Sequence, residues 1–165
     1  MSLLTRVSLL AITLTLSACS SIQTPPVEVP EGSVPVMRLE ASGEQIFQCS
    51  RDMKGWFWRF ETPNAYLFDP ATNQAVAKHG YRFSFAHNDG STIYTRIIRV
   101  GENDGKNIPE ALFSVIEHKN NGRLGNVHYV LRTDTSGGMP TRSCTEARKD
   151  QWLKVPFEAT YTFYR

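Results

Sequence analysis

The sequence predicts an all-β domain, an antiparallel β-sandwich or barrel of about eight to ten short strands. Three observations carry that expectation. Apolar and polar residues alternate with a period of two in one segment after another, turn signals rich in Gly, Asn and Asp fall between those segments, and no long amphipathic helix interrupts them.

Residues 1–18 read as a leader outside the fold. Arg6 gives a short positive start, and Val7 to Leu16 is uncharged and mostly apolar. That run is about ten residues, near 15 Å as a helix, half of what a bilayer core requires, so it fits a signal peptide rather than a membrane span. It ends in Leu16-Ser17-Ala18-Cys19, which resembles the bacterial lipobox. The resemblance implies cleavage before Cys19, lipid on its thiol and amine, and attachment to a membrane. Several acyl chains, at about 0.8 kcal/mol per buried methylene, make a stable anchor. Ser20, where an aspartate tends to retain such proteins in the inner membrane, points to the outer membrane of the cell envelope.

Residues 19–35 form the lipidated cysteine and a tether with Pro25, Pro26, Pro30 and Pro35. Such a segment has too little apolar surface to fold and favours extended conformations, reaching about 40–50 Å at about 3.1 Å per residue. Residues 36–165 are then a single β domain. Strands are expected over Glu44–Cys49, through Trp56, Trp58 and Phe60, through Tyr81, Phe83 and Phe85, over Thr92–Val100 and Leu112–Glu117, through Val127, Tyr129 and Leu131, and through Phe157, Ala159, Tyr161 and Phe163. Asp69-Pro70, Asn88-Asp89-Gly90, Asp104-Gly105, Asn120-Asn121-Gly122 and Ser136-Gly137-Gly138 mark the turns. Pro109 to Val115 has the makings of a helical turn and Thr145 to Trp152 of a short helix.

Removing Arg6 with the leader takes the formal net charge from +2 to +1. Basic and acidic residues are mixed along the chain, so no nucleic-acid partner is expected. There is no phosphate-binding loop, no dinucleotide fingerprint and no Gly-x-Ser-x-Gly elbow, and no cofactor is expected.

With Cys19 committed to lipid, Cys49 and Cys144 remain. An oxidising envelope favours a disulfide between them. The alternatives are two free thiols or a metal site, for which two cysteines without a nearby histidine are a poor ligand set. Of the histidines, His118 and His128 flank Asn121-Gly122 out of step by about three residues across a hairpin, too far to share a zinc ion. No metal is expected. His79 with Asp89 has the residue types of a general base and its orienter but lacks a nucleophile, and a structural hydrogen bond is the plainer role. Trp56 and Trp58, with Arg132, are candidates to line a ligand groove, although aromatic strands serve a core equally well.

The residues Gly43-Glu44-Gln45-Ile46-Phe47-Gln48-Cys49, followed by Trp58, Phe60, Pro63 and Ala65, resemble the opening of the domain-of-unknown-function family 3455. The resemblance continues through His79, Asp89-Gly90-Ser91, Ile108-Pro109, Arg132, Thr135, Gly137-Gly138, Pro140 and Cys144 to Val155-Pro156-Phe157 and the closing aromatic strand. It covers Val34 to the C-terminus, implies a secreted protein with Cys49 paired to Cys144, and brings no established activity. The family's segment after its histidine typically runs through a Gly-Pro pair to a tryptophan and a glutamate. This chain has Arg82, Phe83, Phe85 and Ala86 there, so an acidic partner for His79 is missing. The expectation is a lipid-anchored binding module for a protein or glycan ligand. The alternatives are a hydrolase with a site near His79 and a periplasmic inhibitor of a lysozyme-like enzyme.

Overall fold

The computed structural model describes residues 26–165. The leader, Cys19 and the first part of the tether lie outside the described residues. Eight antiparallel strands close into one barrel in sequence order: β1 (Pro35–Asp52), β2 (Gly55–Asp69), β3 (Gln74–Gly80), β4 (Ser84–His87), β5 (Thr92–Val100), β6 (Ala111–Lys119), β7 (Tyr129–Gly137) and β8 (Trp152–Tyr164). Closure comes from β1 pairing with β8, from Pro35 opposite Tyr164 to Gln48 opposite Trp152. A closed sheet has no exposed edge, so every strand finds two partners and the barrel needs no covering layer.

The alternation read from the sequence becomes an inside and an outside. Leu39 and Ala41 of β1, Ala65 and Leu67 of β2, Phe85 of β4, Phe113 of β6, and Phe157, Ala159, Tyr161 and Phe163 of β8 are buried together in the barrel. Gly43 is required by close approach, because a Cβ there would overlap the Asn64 carbonyl and Ala65 of the neighbouring strand.

Several local expectations are corrected. Tyr81, Phe83 and Phe85 do not share a strand: Tyr81–Phe83 is a single 3-10 turn in which Arg82 and Phe83 adopt φ +59° and +50°, and Tyr81 is 73% exposed. The chain reverses there between Gly80 and Ser84, which pair across the turn, so alternating aromatics imitate a strand where the backbone turns back. In β7 the buried positions are Val130 and Arg132, while Tyr129 and Leu131 are half-buried on the other face and Val127 precedes the strand. Residues 109–115 form no helical turn; they lead into β6, whose first three residues are all buried. The helix expected over Thr145–Trp152 is one 3-10 turn, Glu146–Arg148, and Trp152 already belongs to β8.

Antiparallel order sends the β1–β2, β3–β4, β5–β6 and β7–β8 connections to one end of the barrel, here the mouth. The other three connections go to the opposite end, where Val34 and Arg165 exchange backbone hydrogen bonds of 3.0 Å in both directions. This second end is plugged by the loop over residues 120–128, whose Leu124 and Val127 are fully buried. Val34 and Val27, which composition assigns to the tether, lie against the barrel. Val27 Cγ2 would stand 3.3 Å from a Cβ on Gly101, next to the mouth.

Candidate functional site

A pocket of about 260 Å³ opens at the mouth, inside the ring of strands. Phe47 of β1, Phe60 of β2, Phe83 of the 3-10 turn, and Ile97 and Val100 of β5 make its apolar walls. Ile108, Pro109 and Met139 close the rim. That rim is built by two segments that hold each other: Ile108 N–H donates to the Gly137 carbonyl at 2.8 Å, and Gly137 N–H donates to Asn107 Oδ1 at 2.7 Å. Gly137 and Gly138 have φ of +71° and +86°, the positive angles expected of this turn. A Cβ on Gly138 would stand 2.6 Å from Ile108 Cγ2, so the glycine lets the rim seat.

Three polar residues line this otherwise apolar pocket: Gln45, His79 and Arg132, which are 3%, 1% and 6% exposed. Each occupies an inward position of its strand, where the alternation calls for an apolar side chain. Gln45 Nε2 and His79 Nε2 have no hydrogen-bond partner, and neither does the hydroxyl of Tyr161 on β8, whose ring centroid is 5.2 Å from that of His79. Buried polar atoms are normally satisfied, so several orphans gathered at one end of a barrel mark a place built for something else.

His79 is held firmly. Its ring stacks on Phe85 at 4.1 Å with 9° between planes, and its Nδ1 lies 3.0 Å from the Ser84 carbonyl. A carbonyl only accepts, so Nδ1 carries the proton and Nε2 presents a lone pair. Burial is the main influence on its basicity. The Ser84 carbonyl favours the proton, the Arg132 charge opposes it, and the pKa falls from 6.5 to about 3. His79 is therefore a neutral acceptor at physiological pH. Arg132 sends Nε and Nη2 to one acceptor, the Pro109 carbonyl, at 3.0 and 2.8 Å, and its guanidinium lies 5.4 Å from the Phe113 ring centroid. Burial raises the Tyr161 pKa, with Arg132 acting in the opposite direction.

The structure brings His79 and Arg132 together and separates them from the other candidates. Asp89 is at the plugged end, in the β4–β5 turn, where it accepts from Ser91 N–H at 2.9 Å, Ser91 Oγ at 2.6 Å and Arg123 N–H at 2.7 Å. These hydrogen bonds, led by the Ser91 hydroxyl, hold its carboxyl well below the usual range. It does not orient His79. Trp58 donates Nε1–H to the Arg142 carbonyl at 2.6 Å, and Trp56 lies under the Arg51 guanidinium at 5.6 Å. Both tryptophans brace the hairpin that projects past the mouth, and neither lines the pocket. Cys49 and Cys144 form the disulfide, with Cα atoms 5.4 Å apart, and it ties the β7–β8 connection to that hairpin. His118 points Nε2 at the Val127 carbonyl at 2.8 Å, and His128 lies opposite Val115. Among the described residues no group of three His, Cys, Asp or Glu side chains gathers as a metal site.

Sequence reasoning passed over Gln45 and Tyr161. The signal was present: in the run Leu39, Ala41, Gly43, Gln45, Phe47, Cys49 one polar residue stands on an apolar face. A wider groove of about 410 Å³ crosses the outside over Glu40, Ser42, Phe68 and Glu158. It holds none of the orphaned polar atoms, so the mouth pocket is the candidate site.

Comparison with known families matches residues 30–165 to the family described as Protein of unknown function (DUF3455). No curated protein and no solved structure matches the chain.

Proposed function

The chain belongs to the DUF3455 family, and we propose that it acts as a lipid-anchored binding barrel of the cell envelope, taking a small, largely apolar molecule into its mouth. One observation carries this reading: Gln45 Nε2 and His79 Nε2 are buried without partners on the wall of an apolar pocket. Small closed barrels are filled by side chains or hold one small ligand, and polar atoms left open on the wall favour the second use. At about 30 Å³ for each water displaced, the pocket matches a ligand of roughly nine non-hydrogen atoms. A hydrolytic reading finds less support, since His79 is too weak a base at neutral pH and Asp89 is at the other end.

The anchor fits the same reading. Val27 lies beside Gly101 at the mouth, and the chain from Cys19 to Val27 spans at most about 28 Å when fully extended. Lipid on Cys19 would therefore hold the mouth near the membrane surface, facing whatever partitions there.

Titration with 1-octanol tests the pocket. Methyl NMR shifts should concentrate at Ile97, Val100, Ile108 and Met139, and Ile97→Trp, which fills the cavity, should abolish them. Shifts absent, or scattered over the outer face of the barrel, would overturn the reading.

A further inference from the structure

The chemistry of the pocket wall narrows the ligand further, an inference that rests on the binding reading above. Arg132 is the one charged residue among those lining the pocket. Among the described residues no carboxylate forms an ion pair with its guanidinium. Its neutral contacts are the Pro109 carbonyl, which takes Nε and Nη2, the face of Phe113, and the nearby hydroxyl of Tyr161. A buried cation in that state has lost water without gaining an anion, which is costly until an anion arrives. The remaining nitrogen, Nη1, is left for another acceptor.

Gln45 adds a second donor in the same pocket, its Nε2 buried and unpartnered. A guanidinium and an amide together suit the two oxygens of a carboxylate. A phosphate would bring a second negative charge into a pocket whose lining holds no second cation. His79, neutral with Nδ1–H given to Ser84, offers a lone pair at Nε2. It does not hold the carboxylate; it suits a hydroxyl or an ordered water beside it. The rest of the lining is apolar, with Phe60, Phe83, Ile97 and Met139 available to a hydrocarbon body.

We infer that the ligand is a small apolar monocarboxylate, its head on Arg132 and Gln45 and its body among the aromatic and aliphatic walls. The discriminating experiment is calorimetric titration of the intact protein with octanoate, 1-octanol, octylamine and octyl phosphate at pH 7.5, ligands that differ only at the head. Octanoate should bind at least tenfold more tightly than 1-octanol and more tightly than octyl phosphate, and octylamine should give no detectable heat. Arg132→Met should collapse the octanoate-to-octanol ratio to about one. Gln45→Leu, which leaves the Pro109 rim tied to Arg132, should narrow that ratio severalfold and serves if Arg132→Met does not fold. Wild-type protein that binds 1-octanol as tightly as octanoate overturns the carboxylate assignment while the binding barrel stands. Tighter binding of octyl phosphate overturns it in favour of a phosphate head. Failure of all four ligands to bind overturns the binding reading itself.

Discussion

The two ends of this barrel are built from the same alternating strands and finished in opposite ways. At the plugged end the polar groups close on one another around the buried Ser91. Ser91 gives its hydroxyl to Asp89 and takes the Leu124 N–H at 3.2 Å, Asp89 also holds Arg123 N–H, and Asn120 Nδ2 reaches the Gly90 carbonyl at 3.0 Å. At the mouth, Gln45 and His79 each keep a buried atom without a partner, and Arg132 keeps its charge without a counterion nearby. Desolvation weighs more at the mouth, where Gln45, His79 and Arg132 are all buried, than at the plugged end, where Asp89 and Asn120 reach solvent. The plugged end is finished by the chain itself. The mouth is left for a ligand on the binding reading proposed above.

The largest way to disturb this contrast is to release the mouth. The Cys49–Cys144 bond closes a loop with a sequence separation of 95, and removing such a crosslink costs up to about 4–5 kcal/mol in the chain-entropy model. Chemical denaturation of the Cys49→Ala/Cys144→Ala double variant should show a loss approaching that size. Hydrogen exchange should rise around residues 138–151 and stay low in the loop over 120–128. Equal loosening of both ends would erase the distinction.

A smaller and more specific probe is acid. His79 is neutral in the fold, with a pKa near 3 against 6.5 for the free side chain. The unfolded chain binds that proton more readily, so the contribution is complete above about pH 6.5 and drains away as pH falls toward 3. The slope approaches about 1.4 kcal/mol per pH unit. His79→Gln should cost about 2 kcal/mol at pH 7 through lost stacking on Phe85 and should flatten stability between pH 6 and 4. An unchanged slope in the variant would place the titrating group elsewhere.

The smallest expected effect is at the plugged end. Asp89 has its pKa depressed by the Ser91 and Arg123 hydrogen bonds, so its contribution is intact above about pH 4 and is lost as pH falls through and below the ordinary carboxylate range. Asp89→Asn keeps an acceptor but not the charge, and should lower Tm by about 2–4 °C at neutral pH. It should leave 1-octanol binding at the mouth unaltered. A change in that binding would mean that the two ends are coupled.

The β8 alternation of Phe157, Ala159, Tyr161 and Phe163 was readable in advance because its inward face is apolar throughout, and period two then has one solution. In β7 the same rule points to the wrong face: Arg132 stands inside where Leu131 would be expected, and only pairing with β6 and β8 settles which side is in. The Tyr81–Phe85 segment misleads for a related reason, since aromatic spacing says nothing about a reversal in backbone direction.

By itself the sequence determined an all-β domain of alternating strands, a pair of cysteines suited to a disulfide, and membership of a family, because hydrophobic period, turn chemistry and residue order are local properties of the chain. Only the tertiary structure decided that the sheet closes as a barrel, that Asp89 and the tryptophans are braces, and that Gln45, His79 and Arg132 line one pocket. Those residues come from β1, β3 and β7, and their meeting is fixed by the register and closure of the barrel, a long-range property that no stretch of sequence contains.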